Sequence, residues 1–319
     1  MKYNLLGKTG LKVSELCFGA LPIGPLQSDV EPAKAGKLIR ASLEAGVNFI
    51  DTAQMYRTYP HIRAALQGYS GEVIINSKST AASYADMEKA IHEALQELQR
   101  DYIDIFILHA ARVPADVFEV RSGAWQCLKD YKQKGYLRAI GIATHVVPTV
   151  KVAAQREDVE VIFPLINYKG MGIIDGNLED MLGAIKQAHE ADKGMYAMKA
   201  LAGGALLDSY QEALAYIRSL PYFASTALGL TQDHELATAL KVFNDQPLTA
   251  EDLKSLKVSK ALCIMPFCNG CGRCVKDCPN QALSMSEAGK PVVDTDSCVL
   301  CAYCTPGCPQ FAIRLRNLD

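Results

Sequence analysis

Residues 72–98 read EVIINSKSTAASYADMEKAIHEALQEL, and this stretch holds one strand–helix unit. Residues 72–77 form a short, mostly apolar run of the length that a buried strand has. Ser83 and Asp86 then stand at the spacing of a helix-capping pair. After them, apolar side chains recur at helical spacing, at Met87, Ala90, Ile91, Ala94, Leu95 and Leu98. The stretch therefore predicts a strand followed directly by an amphipathic helix.

The same alternation continues in both directions along the chain. Short apolar runs, each followed by a segment of helical period, predict strands at residues 16–19, 48–51, 72–77, 104–109, 139–143, 160–163, 195–199 and 224–228. Eight strand–helix units in about 245 residues is the length of an α/β fold of the (β/α)8 TIM-barrel type. A doubly wound open sheet is the alternative, but FGALPIGPLQ follows the first strand instead of G-x-G-x-x-G. Residues 2–6 and 11–13 predict a small hairpin ahead of the barrel.

The composition restricts the class of protein. The chain has 319 residues, of which 49% are hydrophobic and 21% charged, so it can bury a large core. A net charge of −2 gives no basic excess for nucleic acid or for an anionic membrane surface. No apolar run reaches the roughly 18 residues of a spanning helix, and MKYNLLGKTGLKVSE lacks the apolar core of a signal peptide. We expect a cytoplasmic enzyme that binds neither nucleic acid nor a membrane.

The cysteines divide the chain into two parts. Nine of the 11 lie between Cys263 and Cys308, whereas Cys17 and Cys127 stand in apolar surroundings and are expected in the core. A dense terminal cluster, in a chain without an export signal, indicates a metal-binding module and not a set of disulfides.

A change of composition near residue 246 predicts the domain boundary. Residues 1–245 would form the barrel, and residues 246–319 a linker helix and a cysteine-rich domain. The linker helix is predicted over residues 249–258, with Thr249 and Asp252 at capping spacing.

Eight of the cysteines form two copies of C-x2-C-x2-C-x3-C, each followed by proline. In this run three thiolates on a tight loop bind one cubane, and the fourth points to the other cluster. We therefore predict an α+β ferredoxin-like domain with two [4Fe–4S] clusters, held by Cys268, Cys271, Cys274 and Cys308 and by Cys298, Cys301, Cys304 and Cys278. A pair of zinc knuckles is the alternative, but such sites often include histidine, and none follows His234. Cys263 precedes the repeat and is interpreted as a packed or incidental thiol.

Four ionisable residues stand at or just after predicted strand ends: Asp51 ends NFID, Tyr56 follows it, Lys78 ends VIINSK and His109 ends DIFILH. Each has an ordinary structural interpretation, as a helix cap, a loop aromatic, a solvated strand end or a buried histidine. Their joint placement on the second, third and fourth strands instead favours one site, because barrel enzymes hold catalytic groups at the C-terminal rim.

In these contexts the four residues resemble the catalytic tetrad of the aldo-keto reductases, and the resemblance covers about residues 3–243. With the cysteine repeat, the chain is similar to the subgroup that carries a C-terminal ferredoxin-like domain with two [4Fe–4S] clusters. The resemblance implies hydride exchange between NAD(P)(H) and a carbonyl or alcohol, with Asp51, Tyr56, Lys78 and His109 as catalytic residues. Lys78 would lower the pKa of Tyr56, Asp51 would hold Lys78, and Tyr56 would protonate the carbonyl oxygen. His109 would donate a hydrogen bond to the same oxygen.

Glycines after the seventh and eighth strands, in residues 200–204 and 229–231, fit the phosphate site of a barrel, although two ordinary tight turns would look the same. The full set of predicted cofactor-binding residues is Gly19, Thr144, His145, Asn167, Lys199, Leu201, Gly203, Gly229 and Thr231. Asn167 is the nearest substitute for the glutamine that the family commonly has on strand six, and Arg57 stands where a glycine often follows the tyrosine. The run LTQDHEL offers no Arg or Lys to a 2′-phosphate, so NAD and NADP both remain open.

The two halves of the chain allow three interpretations, because hydride transfer moves two electrons whereas a cubane passes one. The barrel reduces a small carbonyl substrate or oxidises an alcohol, and the clusters exchange electrons with an external redox partner. Alternatively, the protein is mainly an electron-transfer module whose barrel binds another ligand. In the third interpretation, the clusters only stabilise the fold.

Overall fold

A closed barrel of parallel strands forms the larger part of the molecule. The computed structural model describes residues 1–256, 260–301, 303–305, 307–310 and 312–317. An antiparallel hairpin, β1 (Tyr3–Leu5) with β2 (Lys12–Ser14), precedes the barrel. The eight barrel strands are β3 (Leu16–Gly19), β4 (Phe49–Asp51), β5 (Ile74–Ser79), β6 (Ile103–His109), β7 (Leu137–Thr144), β8 (Val161–Pro164), β9 (Gly194–Ala197) and β10 (Ser225–Gly229). They pair in chain order, and β10 closes the barrel against β3, which confirms the predicted TIM barrel.

Strand periodicity decides which side chains fill the barrel. On β6, Ile105 and Ile107 belong to the cluster inside the barrel, whereas Phe106 and Leu108 pack outward against the helices. Hairpin and loop residues, among them Leu6 and Val13, belong to the same interior cluster. Each large apolar side chain that is fully buried here stabilises the fold by about 1.5–3 kcal/mol relative to exposure.

Helices cover the outside of the barrel. Ser83 accepts a hydrogen bond from the backbone nitrogen of Asp86 at 3.2 Å, so the predicted cap begins the predicted helix. Within residues 1–256 the helices are α1 (Pro32–Glu44), α2 (Tyr59–Leu66), α3 (Tyr84–Leu98), α4 (Val117–Val120), α5 (Ser122–Gln133), α6 (Val147–Gln155), α7 (Leu178–Glu190), α8 (Tyr210–Ser219), α9 (Asp233–Phe243) and α10 (Ala250–Ser255).

Two strand ends differ from the prediction. β5 continues to Ser79, so Lys78 lies inside the strand and not after it. β9 ends at Ala197, because Lys199 has a left-handed backbone with φ of +63° and its carbonyl accepts from Ala202 N at 2.7 Å, which begins a turn. Lys199 therefore belongs to the loop above the barrel.

The C-terminal region is a small α+β unit, as expected. Its elements are β11 (Lys260–Ile264), α11 (Arg273–Asp277), β12 (Leu283–Met285), β13 (Pro291–Val293) and β14 (Ile313–Asn317). β11 pairs antiparallel with β14, and β12 with β13. Thr249 caps α10 as predicted, but this helix ends at Ser255, and residues 257–259 of the predicted linker helix lie outside the described residues. The boundary near residue 246 stays a prediction.

The cysteine-rich region packs directly on the barrel rim. Gly203, in the loop after β9, has φ of +72°, and a Cβ added there would lie 2.0 Å from the carbonyl oxygen of Val299. Only glycine fits this approach. None of the described helices is both long and apolar enough to cross a membrane.

Candidate active site and iron–sulfur ligands

Strand alternation brings three of the four predicted catalytic side chains to one rim. Asp51 is in phase with Phe49 on β4, and His109 with Ile107 on β6, so both side chains point into the barrel. Lys78 is in phase with Ile74 on β5 in the same way. Tyr56 lies in a 3-10 turn, Gln54–Tyr56, just after β4.

Lys78 and Asp51 form a fully satisfied buried ion pair. Lys78 Nζ donates to Asp51 Oδ1 at 2.8 Å, to Asp51 Oδ2 at 2.7 Å and to the carbonyl oxygen of Thr52 at 2.6 Å. Asp51 Oδ1 also accepts from Tyr196 Oη at 2.7 Å and from Asn76 Nδ2 at 2.8 Å. Burial lowers the pKa of Lys78, and the carboxylate of Asp51 opposes that shift. The pair places a fixed ammonium group, compensated by the Asp51 carboxylate, at the bottom of the site.

The ring of Tyr56 lies between this charge and His109. Lys78 Nζ is 5.0 Å from the centroid of the Tyr56 ring. The rings of Tyr56 and His109 meet edge to face, with centroids 5.7 Å apart. The four predicted residues therefore do come together at a single rim.

The pKa of Tyr56 differs from the expectation. Burial raises the pKa of the Tyr56 hydroxyl well above its ordinary value, and Tyr303 and Asp51 add to the rise. The expected lowering by Lys78 is absent because the three Lys78 protons go to Asp51 and Thr52, so its charge is compensated. Tyr56 is therefore a protonated phenol, the form that can give a proton to a substrate.

His109 is a neutral imidazole. Burial lowers its pKa well below the ordinary value, and the nearby positive charge of Lys78 lowers it further. Its Nδ1 atom is buried and has no hydrogen-bond partner among the described residues. A neutral imidazole still carries one N–H group, which can donate to a substrate oxygen.

A cleft opens above these residues. Asp51 and Tyr56 lie on its wall, and it extends to the end of β10 and to Glu235. Five of the predicted cofactor-binding residues line the cleft, namely Gly19, Lys199, Leu201, Gly203 and Gly229. The cleft is long enough to hold a ligand that reaches from Tyr56 toward the N-terminus of α9.

The other predicted cofactor residues, Thr144, His145, Asn167 and Thr231, do not line the cleft. The side-chain amide of Asn167 accepts from Met171 N at 3.0 Å and donates to the Met171 carbonyl oxygen at 2.9 Å. Thr144 Oγ1 accepts from Val146 N at 3.1 Å. The amide of Asn167 therefore stabilises its own loop, and its expected role as a substitute for the family glutamine stays a prediction.

The predicted phosphate position at the N-terminus of α9 is filled by the chain itself. One carboxylate oxygen of Glu235 accepts from Thr231 N at 2.6 Å, from Thr231 Oγ1 at 2.9 Å and from Gln232 N at 3.1 Å. These donors would otherwise be offered to an anion. Glu235 thus uses the donors of Thr231 here, and the expected phosphate-binding role of Thr231 stays a prediction.

Four cysteines of the repeat, which are predicted to hold one cluster, share a cavity. Cys278, Cys298, Cys301 and Cys304 all line it. Within the described residues, no three His, Cys, Asp or Glu side chains are placed to hold a single metal ion. Sulfurs spread around a cavity fit a four-iron body.

The second group lies in the core of the C-terminal region. Cys268, Cys274 and Cys308 are buried in one cluster that also includes Cys304 of the other predicted set, and Cys271, which lies close to Cys274, is exposed. A backbone amide donates to a cysteine sulfur in each predicted group. Ala282 N donates to Cys278 Sγ and Ala312 N donates to Cys308 Sγ, each at 3.2 Å. Such amide donors stabilise the thiolate form that iron needs.

The remaining cysteines lie away from these groups. Cys17 and Cys127 are buried in the barrel core, as expected. Cys263 is half-buried on β11 and is not among the residues that line the cavity.

Comparison with known proteins agrees with this geometry. The sequence model of the aldo/keto reductase family matches residues 15–218. The chain belongs to the aldo-keto reductase family. The model of a 4Fe-4S dicluster domain matches residues 267–312, so this aldo-keto reductase is an oxidoreductase with a C-terminal iron–sulfur domain.

Relatives of this aldo-keto reductase come from plants and bacteria. The L-galactose dehydrogenase of Arabidopsis thaliana is 28% identical over 58% of this chain, a match that spans 62% of the plant enzyme's length. An uncharacterised oxidoreductase of Bacillus subtilis is 22% identical over 81% of this chain and 96% of its own. An aldo-keto reductase structure from Bacillus halodurans, in its holo form, has a TM-score of 0.65 at 21% identity, covering 81% of this chain and 95% of its own.

One residue at the barrel mouth was not identified from the sequence. Tyr303 lies between Cys301 and Cys304, yet its ring sits over the reductase site. The centroid of that ring is 6.2 Å from that of His109 and 5.3 Å from that of His145, and Tyr303 Oη is 3.5 Å from His145 Nε2. The cysteine-rich region of this aldo-keto reductase therefore supplies part of the cleft wall.

The cysteine grouping gives a prediction about metal content. We expect anaerobic reconstitution to give about eight irons and eight acid-labile sulfides per chain, as two cubanes require. Cys304→Ser should lower the iron content toward about half, whereas the control Cys263→Ser should leave it unchanged. Two zinc ions per chain, with no labile sulfide, would contradict the assignment. Iron analysis and the visible absorption spectrum measure both results.

Proposed function

We propose that this aldo-keto reductase reduces a carbonyl compound, or oxidises the alcohol, with a nicotinamide cofactor in the barrel cleft. The observation that carries the proposal is the meeting of a protonated Tyr56 with a neutral His109 beside the buried Lys78–Asp51 pair. A proton donor, a neutral hydrogen-bond donor and a fixed charge are the groups that carbonyl reduction needs.

The cleft fits a nicotinamide dinucleotide in part. Gly19, Gly203 and Gly229 line the cleft and let a ligand approach the backbone. When bound, the nicotinamide would supply the hydride. Glu235 places a negative charge where a phosphate would otherwise bind, so we expect NADH to bind more tightly than NADPH.

The side chains of this protein then divide the remaining work. Tyr56 gives its hydroxyl proton to the carbonyl oxygen during reduction and takes it back during alcohol oxidation. His109 donates a hydrogen bond to the same oxygen and fixes its position. Lys78 and Asp51 hold the ring of Tyr56 in a site of low water content, where such interactions are strong.

For the clusters, we propose one-electron exchange with an external redox partner. Each cubane passes one electron when it is bound. Cys271 is exposed, so its group of cysteines is the one within reach of a partner. The other group lines a cavity next to Val299, which packs on the barrel rim.

A second candidate function is electron transfer by a protein whose barrel binds no nicotinamide. Glu235 favours it, because that carboxylate already uses the donors at the predicted phosphate position.

Binding and turnover separate these functions. The anaerobically reconstituted protein is titrated with NADH and NADPH by calorimetry, and NADH oxidation is followed with a panel of aldehydes and ketones. We expect saturable NADH binding and carbonyl-dependent oxidation. No binding of either nucleotide, in a protein whose clusters accept electrons, would instead support the electron-transfer function. Turnover that is the same with oxidised and reduced clusters would favour a purely stabilising role for them.

The pKa shifts give a prediction about pH. Reduction needs Tyr56 protonated and His109 neutral. The pKa of Tyr56 is raised, so its protonated form persists above its ordinary pKa of about 10. The pKa of His109 is lowered, so its neutral form persists below about 6.5. We therefore expect kcat for reduction to be flat between about pH 6.5 and 10 and kcat for alcohol oxidation to rise with pH. A reduction profile with a midpoint near pH 7 would contradict these assignments.

A further inference from the structure

Two cations flank the ring of Tyr303 at the barrel mouth. Arg112 follows β6, and its Cζ atom is 6.0 Å from the ring centroid. Lys199 follows β9, and its Nζ atom is 5.7 Å from the same centroid. Neither side chain forms a hydrogen bond or an ion pair with any other residue that the structure describes. Two cations without a protein counter-ion therefore share one end of the site.

Lys199 belongs to the substrate cleft, because it lines the same cleft as Tyr56. The positive charge of Lys199 acts on both histidines at the barrel mouth, since it contributes to the lowered pKa values of His109 and His145. Placing an ammonium group in such a site costs free energy unless an opposite charge accompanies it. The site thus lacks an anion that a ligand would bring.

The negative charge of the neighbouring cluster could balance only one of the two cations. Lys199 lies within charge–charge range of Cys301, a proposed cluster ligand. Arg112 instead acts on Tyr303 and His145. No carboxylate of the described residues forms an ion pair with Arg112, so a ligand could supply its counter-anion.

The same contacts decide on which side of the reacting group the anion would lie. The ring of Tyr303 lies near His109 on one side and near the two cations on others. Both cations are thus one aromatic ring away from His109, so a substrate whose carbonyl oxygen meets Tyr56 and His109 would carry its anion on the Tyr303 side. A longer substrate would meet the Tyr303 ring.

We propose that Arg112 and Lys199, with Tyr303 between them, form a subsite for the oxyanion of a short carbonyl substrate. This rests on the proposed carbonyl reduction. A guanidinium group binds carboxylate and phosphoryl oxygens with two parallel hydrogen bonds, and an ammonium group adds a point charge. The substrate class is thus a small oxo compound that bears a carboxylate or a phosphoryl group.

The first test compares matched substrates of the reconstituted enzyme with NADH. Succinic semialdehyde is compared with butanal for a carboxylate, and glyceraldehyde 3-phosphate with glyceraldehyde for a phosphoryl group. Charged hydrogen bonds contribute about 1.5–3 kcal/mol, so we expect kcat/KM to favour one charged member about ten- to hundredfold. The pair with the larger ratio identifies the oxyanion. Equal kcat/KM within both pairs would overturn the subsite and leave carbonyl reduction intact.

Substitutions at Arg112 and Lys199 test whether these residues cause the preference for the charged substrate. Arg112→Met and Lys199→Met should each reduce the charged-to-neutral ratio, and Arg112→Lys should retain part of it. The exposed Lys151 provides the control, because Lys151→Met removes one positive charge away from the site and should keep the wild-type ratio. A wild-type ratio in Arg112→Met, in a protein with normal cluster absorption, would overturn the proposal.

A binding measurement is independent of turnover. Calorimetry compares oxamate, which carries a carboxylate, with its uncharged counterpart oxamide, and adds inorganic phosphate as a competitor. We expect oxamate or phosphate to bind and oxamide not to bind, with the binding lost in Arg112→Met. If no aldehyde is reduced but this binding pattern holds, the reductase proposal fails and the oxyanion subsite stands. Binding that persists in Arg112→Met would overturn the subsite.

Discussion

Replacement of Tyr56 by phenylalanine is expected to lower kcat for carbonyl reduction by about 10²- to 10⁴-fold, the usual contribution of a positioned acid. The ring of Tyr56 would still pack against Lys78 and His109, so binding of substrate and nucleotide should change little. The measurement is kcat and KM for an aldehyde with NADH at pH 7, together with nucleotide affinity by calorimetry.

Tyr210→Phe is the matched control. The Tyr210 hydroxyl is buried and has no hydrogen-bond partner among the described residues, and it is not part of the cleft lining. Its removal should leave kcat unchanged. If Tyr56→Phe retained the wild-type kcat while Tyr210→Phe behaved as expected, another group would have to be the acid.

The second large effect concerns stability. Lys78→Met would leave the carboxylate of Asp51 buried without its cation, although Tyr196 and Asn76 would still donate to it. Breaking a buried pair in this way costs about 3–5 kcal/mol of unfolding free energy. We expect a lower urea midpoint in anaerobic unfolding, followed by circular dichroism, as well as the loss of reduction.

The double variant Asp51→Asn with Lys78→Met separates charge from packing. It removes both charges and keeps an oxygen that can accept from Tyr196, so most of the lost stability should return while activity stays absent. If Lys78→Met alone were as stable as the wild type, the pair would not be the buried ion pair described above.

Local patterns were sufficient to predict the barrel and most of its site. Alternation along β4, β5 and β6 fixes which residues face inward, so Asp51, Lys78 and His109 had to share the interior. The cysteine spacing was equally informative, because the repeat itself places each fourth cysteine with the other triplet.

The sequence analysis missed features that arise where distant segments meet. Nothing near Tyr303 in sequence shows that a barrel lies above it. The raised pKa of Tyr56 also depends on tertiary structure, since burial of its hydroxyl raises it and Tyr303 and Asp51 add to the rise. The spacing of residues along the sequence does not show such contacts.

The position of Tyr303 also bears on how the protein would respond to air. This ring is anchored by the backbone between Cys301 and Cys304, both proposed iron ligands. Oxygen damage that strips iron from this loop would release the anchors on each side of the ring. The protein would then lose selectivity among aldehydes as well as electron transfer by the cluster. Aerobic purification would therefore change which substrates the barrel accepts, even if the barrel stayed folded.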